Sequence, residues 1–173
     1  MKYKIGVLLF LLSTSAFGSQ IEKSVDLGNS LTALVKSKSE IKLKSIANYK
    51  AIKGYLKENG CSGFKYKSYV IEDGDTSRLY LIGSKGKSVI IGRHFTASVV
   101  DNNADISSFT SSTNGCVDLG VPKKEAAMFV THLKPEPNEF HVLESNLANI
   151  TLYVSTKESL YSVSGGEIKV VEK

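Results

Sequence analysis

The feature that most constrains the fold is a single pair of cysteines, Cys61 and Cys116. An even count with no CxxC spacing reads, in an oxidising compartment, as one intramolecular disulfide closing a long loop. The leader supplies the compartment. Lys2 and Lys4 precede an apolar run from Ile5 to Leu12, and small residues follow at Ser13–Gly18. Ala16 and Gly18 suit the two small-residue pockets of a signal peptidase, which places cleavage after Gly18. The run is far shorter than the ~20 residues of a membrane-spanning helix, so residues 1–18 read as a signal peptide and no transmembrane anchor is expected. The expected location is the periplasm or the exterior.

The 173 residues are 42% hydrophobic, enough for a real core, and the net charge is +5. Two of those charges sit in the leader and the other lysines are scattered, so the charge reads as a solvated surface; nucleic acid is not expected as a partner.

Residues 19–44 read as a lead-in, with a helix from Ser30 to about Ser39. A first α+β unit spans 45–100. It opens with a helix capped by Ser45, with Ile46, Tyr49, Ile52 and Leu56 on one face and Gly60 as a left-handed C-cap. The period then changes to that of a strand over Phe64–Ile71, with a slip suggestive of a bulge. Glu72–Asp75 reads as a turn, and Arg78–Gly83 with Lys87–Gly92 as a hairpin, followed by Phe95–Val100. Residues 101–117 form a Ser/Thr/Asn-rich surface loop pinned by Cys116. A second unit, 118–173, begins with a helix from Pro122 whose inner face is Ala126, Phe129, Val130 and Leu133. Four short strands follow: Phe140–Glu144, Ile150–Ser155, Leu160–Val163 and Ile168–Val171, with turns at Asn146–Asn149 and Ser164–Gly166.

The expected class is α+β: antiparallel sheets with two or three packing helices. The order helix, strand, strand, strand occurs in both units, so the chain is either a duplication or one sheet holding all the strands.

The run Leu79-Tyr80-Leu81-Ile82-Gly83-Ser84-Lys85-Gly86-Lys87-Ser88-Val89-Ile90-Ile91-Gly92-Arg93-His94-Phe95 resembles the hairpin in the N-terminal dimerisation domain of periplasmic Dsb-type disulfide isomerases. The likeness covers about residues 46–98. Lys85 replaces that family's Asp before Gly-Lys, the Asp after its aromatic is missing, and the thioredoxin domain is absent. The resemblance therefore implies a cystatin-like dimerisation or binding module without isomerase chemistry.

No catalytic residue, metal ligand set or cofactor is assigned. No serine lies in GxSxG. His94, His132 and His141 fall on three different elements, with His141 and Glu144 on opposite faces of a strand. Glu72, Asp73 and Asp75 lack the EF-hand spacing. Tyr66, Tyr69, Tyr80, Phe95, Phe109 and Tyr153 are the candidate binding residues, since aromatics on or beside strands anchor partners. The expected function is a non-enzymatic binding or assembly module that meets a protein partner or a second copy at a sheet edge. The alternative is an inhibitor or immunity protein acting through the 101–115 loop; an unrecognised hydrolase using the histidines is the third reading.

Overall fold

The computed structural model describes residues 15–73, 76–123 and 127–172. Helix α1, Ser15–Lys36, comes first, then a 3-10 turn at Leu43–Ser45 and helix α2, Tyr49–Asn59. Strands β1 (Lys65–Asp73), β2 (Thr76–Ser84) and β3 (Phe95–Val100) make an antiparallel meander. The two-residue strands β4 (Asn103–Ala104) and β5 (Thr110–Ser111) both pair with β3. A second sheet has the order β6 (Ala127–Thr131), β7 (Thr151–Ser155), β8 (Leu160–Ser164), β9 (Glu167–Glu172). Helix α3, Glu139–Ala148, carries the parallel crossover from β6 to β7. The fold is α+β with three helices, one antiparallel sheet and one mixed sheet.

Side-chain alternation explains how these elements stack. One face of β1–β2 sends Tyr69, Tyr80 and Ile82 against Leu31 of α1 and Phe140 and Leu143 of α3. The opposite face sends Leu79, Leu81 and Phe95 against Ile46 and Ile52, the latter on α2. The second sheet turns Leu152, Val154, Tyr161 and Val163 toward Val142 of α3, with Val89 and Ile91 filling the same core. The layers therefore run α2, first sheet, α1 with α3, second sheet. Helix α3 is buried nearly all round from Phe140 to Ser145, polar His141, Glu144 and Ser145 included, because it lies between two sheets. Gly28 lets α1 and α3 close: a Cβ there would stand 2.5 Å from Val142 Cβ and 2.8 Å from the Glu139 carbonyl.

Several expectations are corrected. Residues 20–29 are helical rather than a loose lead-in, since α1 runs unbroken from Ser15 to Lys36. It thus crosses the expected cleavage point after Gly18; the apolar run Ile5–Leu12 lies outside the described residues. Gly60 caps α2 in an extended conformation, φ −72°, with its N–H donating to the Leu56 carbonyl. The β1–β2 register is unbroken from Lys65↔Ser84 to Asp73↔Thr76, so there is no bulge. The tip of that hairpin, Gly74-Asp75, lies outside the described residues.

Lys87–Gly92 does not pair back on β2. Val89 and Ile91 instead exchange hydrogen bonds with Val117, Leu119 and Gly120, making an irregular strap between the sheets. The span expected to be a helix from Pro122 contains strand β6, and Ala126 lies outside the described residues. Conversely, Phe140–Glu144 is helical, not a strand, because Asn138 nucleates α3: its side chain accepts from the Phe140 N–H at 3.1 Å.

Candidate functional site

Two places bring chemistry-bearing residues together. The first is the outer face of the second sheet. On β6 the burial alternates, with Ala127, Phe129 and Thr131 outward and Met128 and Val130 packed on the core. Parallel pairing sets Phe129 opposite Tyr153, and the next strands continue the row with Ser162 and Lys169. The Phe129 and Tyr153 rings stack at 4.8 Å with planes 15° apart. Phe129 remains 69% exposed and Leu133, just past β6, 75% exposed. Strand β6 ends the sheet, so its outward backbone groups face no neighbouring strand of that sheet.

The second is a buried titratable cluster between the sheets. His94, fully buried, accepts at Nδ1 from the Gly83 N–H (3.1 Å), which fixes the proton on Nε2. Nε2 lies 2.7 Å from the Ile90 carbonyl, to which it donates. The Ile90 N–H donates in turn to Glu144 Oε2 at 3.0 Å, while Glu144 Oε1 stands 3.7 Å from His94 Nε2. His141 accepts at Nδ1 from the Asn138 N–H (3.1 Å), completing the α3 capping box and again fixing the proton on Nε2. Its ring meets that of His132 edge to face at 4.8 Å, and the Nε2 atoms of both are buried with no hydrogen bond among the described residues.

Burial dominates the electrostatics. Desolvation lowers His94 to about 4 and His141 to about 3, and it raises Glu144 to about 8. All three are neutral near pH 7. A metal would need the Nε2 lone pair of His141, which the Asn138 N–H leaves protonated. Nor do three His, Cys, Asp or Glu side chains gather as a metal site among the described residues.

A stability prediction follows. The histidines bind fewer protons folded than unfolded below about pH 6.5, so their neutral burial becomes unfavourable as pH falls through that value. Glu144 binds more protons folded than unfolded between its ordinary value and about 8, so stability is lost as pH rises across that window. Between about 4.5 and 6.5 the three lowered histidines, His94, His132 and His141, outweigh the raised carboxyls of Glu139 and Glu144. Above 6.5 the raised carboxyls, Glu144 foremost, act without the histidines. The melting temperature should therefore peak near pH 6.5. A flat calorimetric profile from pH 5 to 8 would contradict the neutral cluster.

The six aromatics singled out from sequence are not brought together. Tyr69, Tyr80 and Phe95 are buried in the core. Tyr66 packs on Phe95, and its hydroxyl accepts from the Cys61 N–H at 3.0 Å. Phe109 stacks on Tyr55 at 4.4 Å. Tyr153 faces outward. Sequence reasoning missed Phe129 by assigning it to the inner face of a helix. The His141–Glu144 pair, expected on opposite strand faces, lies three residues apart along a helix, and both side chains are buried. The bridge Cys61–Cys116 is present, with Cα atoms 5.8 Å apart. Among the described residues, no helix is long and apolar enough to cross a membrane.

Compared with known proteins, the chain matches no protein-family model, no curated protein and no solved structure.

Proposed function

We propose that this is an exported periplasmic protein that binds or helps assemble other envelope proteins without catalysis, docking them on the edge of its second sheet. The observation that carries the reading is strand β6, an edge strand with Phe129 and, just beyond it, Leu133 left open. Such an edge offers main-chain hydrogen bonds to an added strand and an aromatic anchor beside them. A second copy of the chain is one such partner, as the likeness of residues 46–98 to the Dsb-type dimerisation domain implies.

The alternative, an inhibitor acting through the 101–115 loop, has less support. That segment folds back on β3 through β4 and β5, and Phe109 turns inward onto Tyr55.

The test is capture from the protein's own cell envelope alongside light scattering, with the native chain and Phe129→Asp compared. The exposed site should tolerate the charge, so the melting temperature should hold. Capture, or the dimer fraction, should fall at least about tenfold. Unchanged capture would remove β6 from the interface. A one-to-one complex lost on shortening 101–115 would replace the reading with the inhibitor.

A further inference from the structure

Glu144 does more than fill space between the sheets. It lines a cavity of about 200 Å³ whose walls come from α1 (Val35), β1 (Lys67, Tyr69), β2 and its following turn, and α3 (Leu147, Ala148). A cavity of about 150 Å³ is already enough to hold benzene, so this one accommodates a substituted ring. Much of the wall is apolar: Val35, Ile82, Ile90, Leu147 and Ala148.

The polar side chains are Lys67, Tyr69, Ser84, Lys87, Ser88 and Glu144, and the hydrogen-bonding role of the carboxyl follows from the geometry. Glu144 Oε2 accepts from the Ile90 N–H, so a proton on the carboxyl belongs on Oε1. His94 Nε2 cannot receive that proton, because it carries its own and sends it to the Ile90 carbonyl. The Glu144 carboxyl lines the cavity, so a proton on Oε1 is one that a ligand oxygen there can accept. Of the two lysines lining the cavity, Lys67 is held by Glu40 at 2.8 Å, whereas Lys87 has no ion pair among the described residues. With a neutral Glu144 the site favours an anion over a cation.

We propose that this cavity binds a small aromatic carboxylate carrying an oxygen at the far end of its ring. The carboxylate pairs with Lys87, the ring lies between Val35, Ile82 and Leu147, and the far oxygen accepts from Glu144. Binding is then coupled to the proton on Glu144. The charged and titratable groups facing that carboxyl are His94 from the strap, Lys67 and Tyr69 from β1, and Lys87 from the turn. Desolvation keeps His94 neutral through the neutral range, so Glu144, near 8, is the group whose ionisation weakens binding.

The probe is 4-hydroxybenzoate, titrated into the full chain and followed by amide chemical shifts. Saturable shifts are expected at residues 35, 84–88 and 144–148, with Kd of about 1 mM or tighter. Benzoate, which lacks the far oxygen, should bind about fivefold more weakly, as should the native probe to Lys87→Ala. Raising the pH from about 6.5 to about 9 should weaken binding at least about tenfold. Glu144→Gln retains an acceptor for Ile90 and an N–H donor for the ligand at every pH, so it should bind without that pH dependence. If that variant does not fold, the native pH profile and Lys87→Ala still decide. No saturable shift up to about 10 mM, equal affinity at both pH values, or tighter binding of benzylammonium would each overturn the proposal.

Discussion

Opening the Cys61–Cys116 bridge, by reduction or by Cys61→Ala, should lower the unfolding free energy by about 4 kcal/mol at most. The bridge closes a loop with a sequence separation of 55 residues, and most of the stabilisation comes from denying that loop its freedom in the unfolded chain. The folded neighbourhood holds this seam even without the bridge. Arg93 spans the same seam, its Nη1 donating to the Asn59 carbonyl at 3.0 Å and its Nη2 to the Asn114 carbonyl at 2.7 Å. Gly92 packs so tightly on Gly115 and Val117 that no side chain fits there. These contacts keep α2 docked to the strap after reduction, so the loss should appear as a lower melting temperature rather than a different native spectrum. A melting temperature unchanged by reductant would show that the bridge constrains nothing the rest of the fold does not already hold.

Gly28→Val should be comparably severe, at about 3 kcal/mol or more. The new Cβ would collide with Val142 Cβ and the Glu139 carbonyl, both on α3. Helix α3 cannot step aside because the two sheets hold it from both sides. Replacing a helical glycine by alanine ordinarily favours the helix by about 1 kcal/mol, and by valine by a few tenths, so the sign of the result is diagnostic. Stabilisation on chemical denaturation would mean that the two helices do not meet at Gly28. Gly54 makes the control: a Cβ there meets nothing within 4 Å, so Gly54→Ala on α2 should stabilise slightly.

The parts of the fold legible in sequence are those where local pattern and burial agree. The hairpin β8–β9 follows from alternating Tyr161 and Val163, the Gly165-Gly166 turn with both φ values positive, and Ile168 beyond it. Helix α2 follows from apolar residues three to four apart, although it begins at Tyr49 after Asn48 rather than at a Ser45 cap. The exchange of helix and strand between 122 and 148 has a physical origin. Phe129, Val130 and Leu133 sit at helical spacing, yet only Val130 of the three packs on the core; Phe129 and Leu133 are outside. Phe140–Leu143 is a short run with one polar interruption, and periodicity cannot distinguish a buried strand from a helix enclosed on all sides. The usable signal was at the ends: Asn138 after two prolines, and Asn149 in the left-handed conformation at φ 52°. The buried cluster was out of reach for another reason. His94 and Glu144 meet through Ile90, a contact made by tertiary packing that no local spacing encodes.

The pairing of α1 with α3 also sets the order in which the chain can commit to its fold. Strands β1 to β3 are neighbours in sequence and can zip as soon as they emerge during synthesis. Their inner face then waits for Phe140 and Leu143, and the second sheet waits longer still, for β9. Until the last third of the polypeptide has been made, α1 lacks its main partner, α3, and the molecule has no closed interior. A nascent chain in that state has its first sheet formed but its α1–α3 layer still undocked.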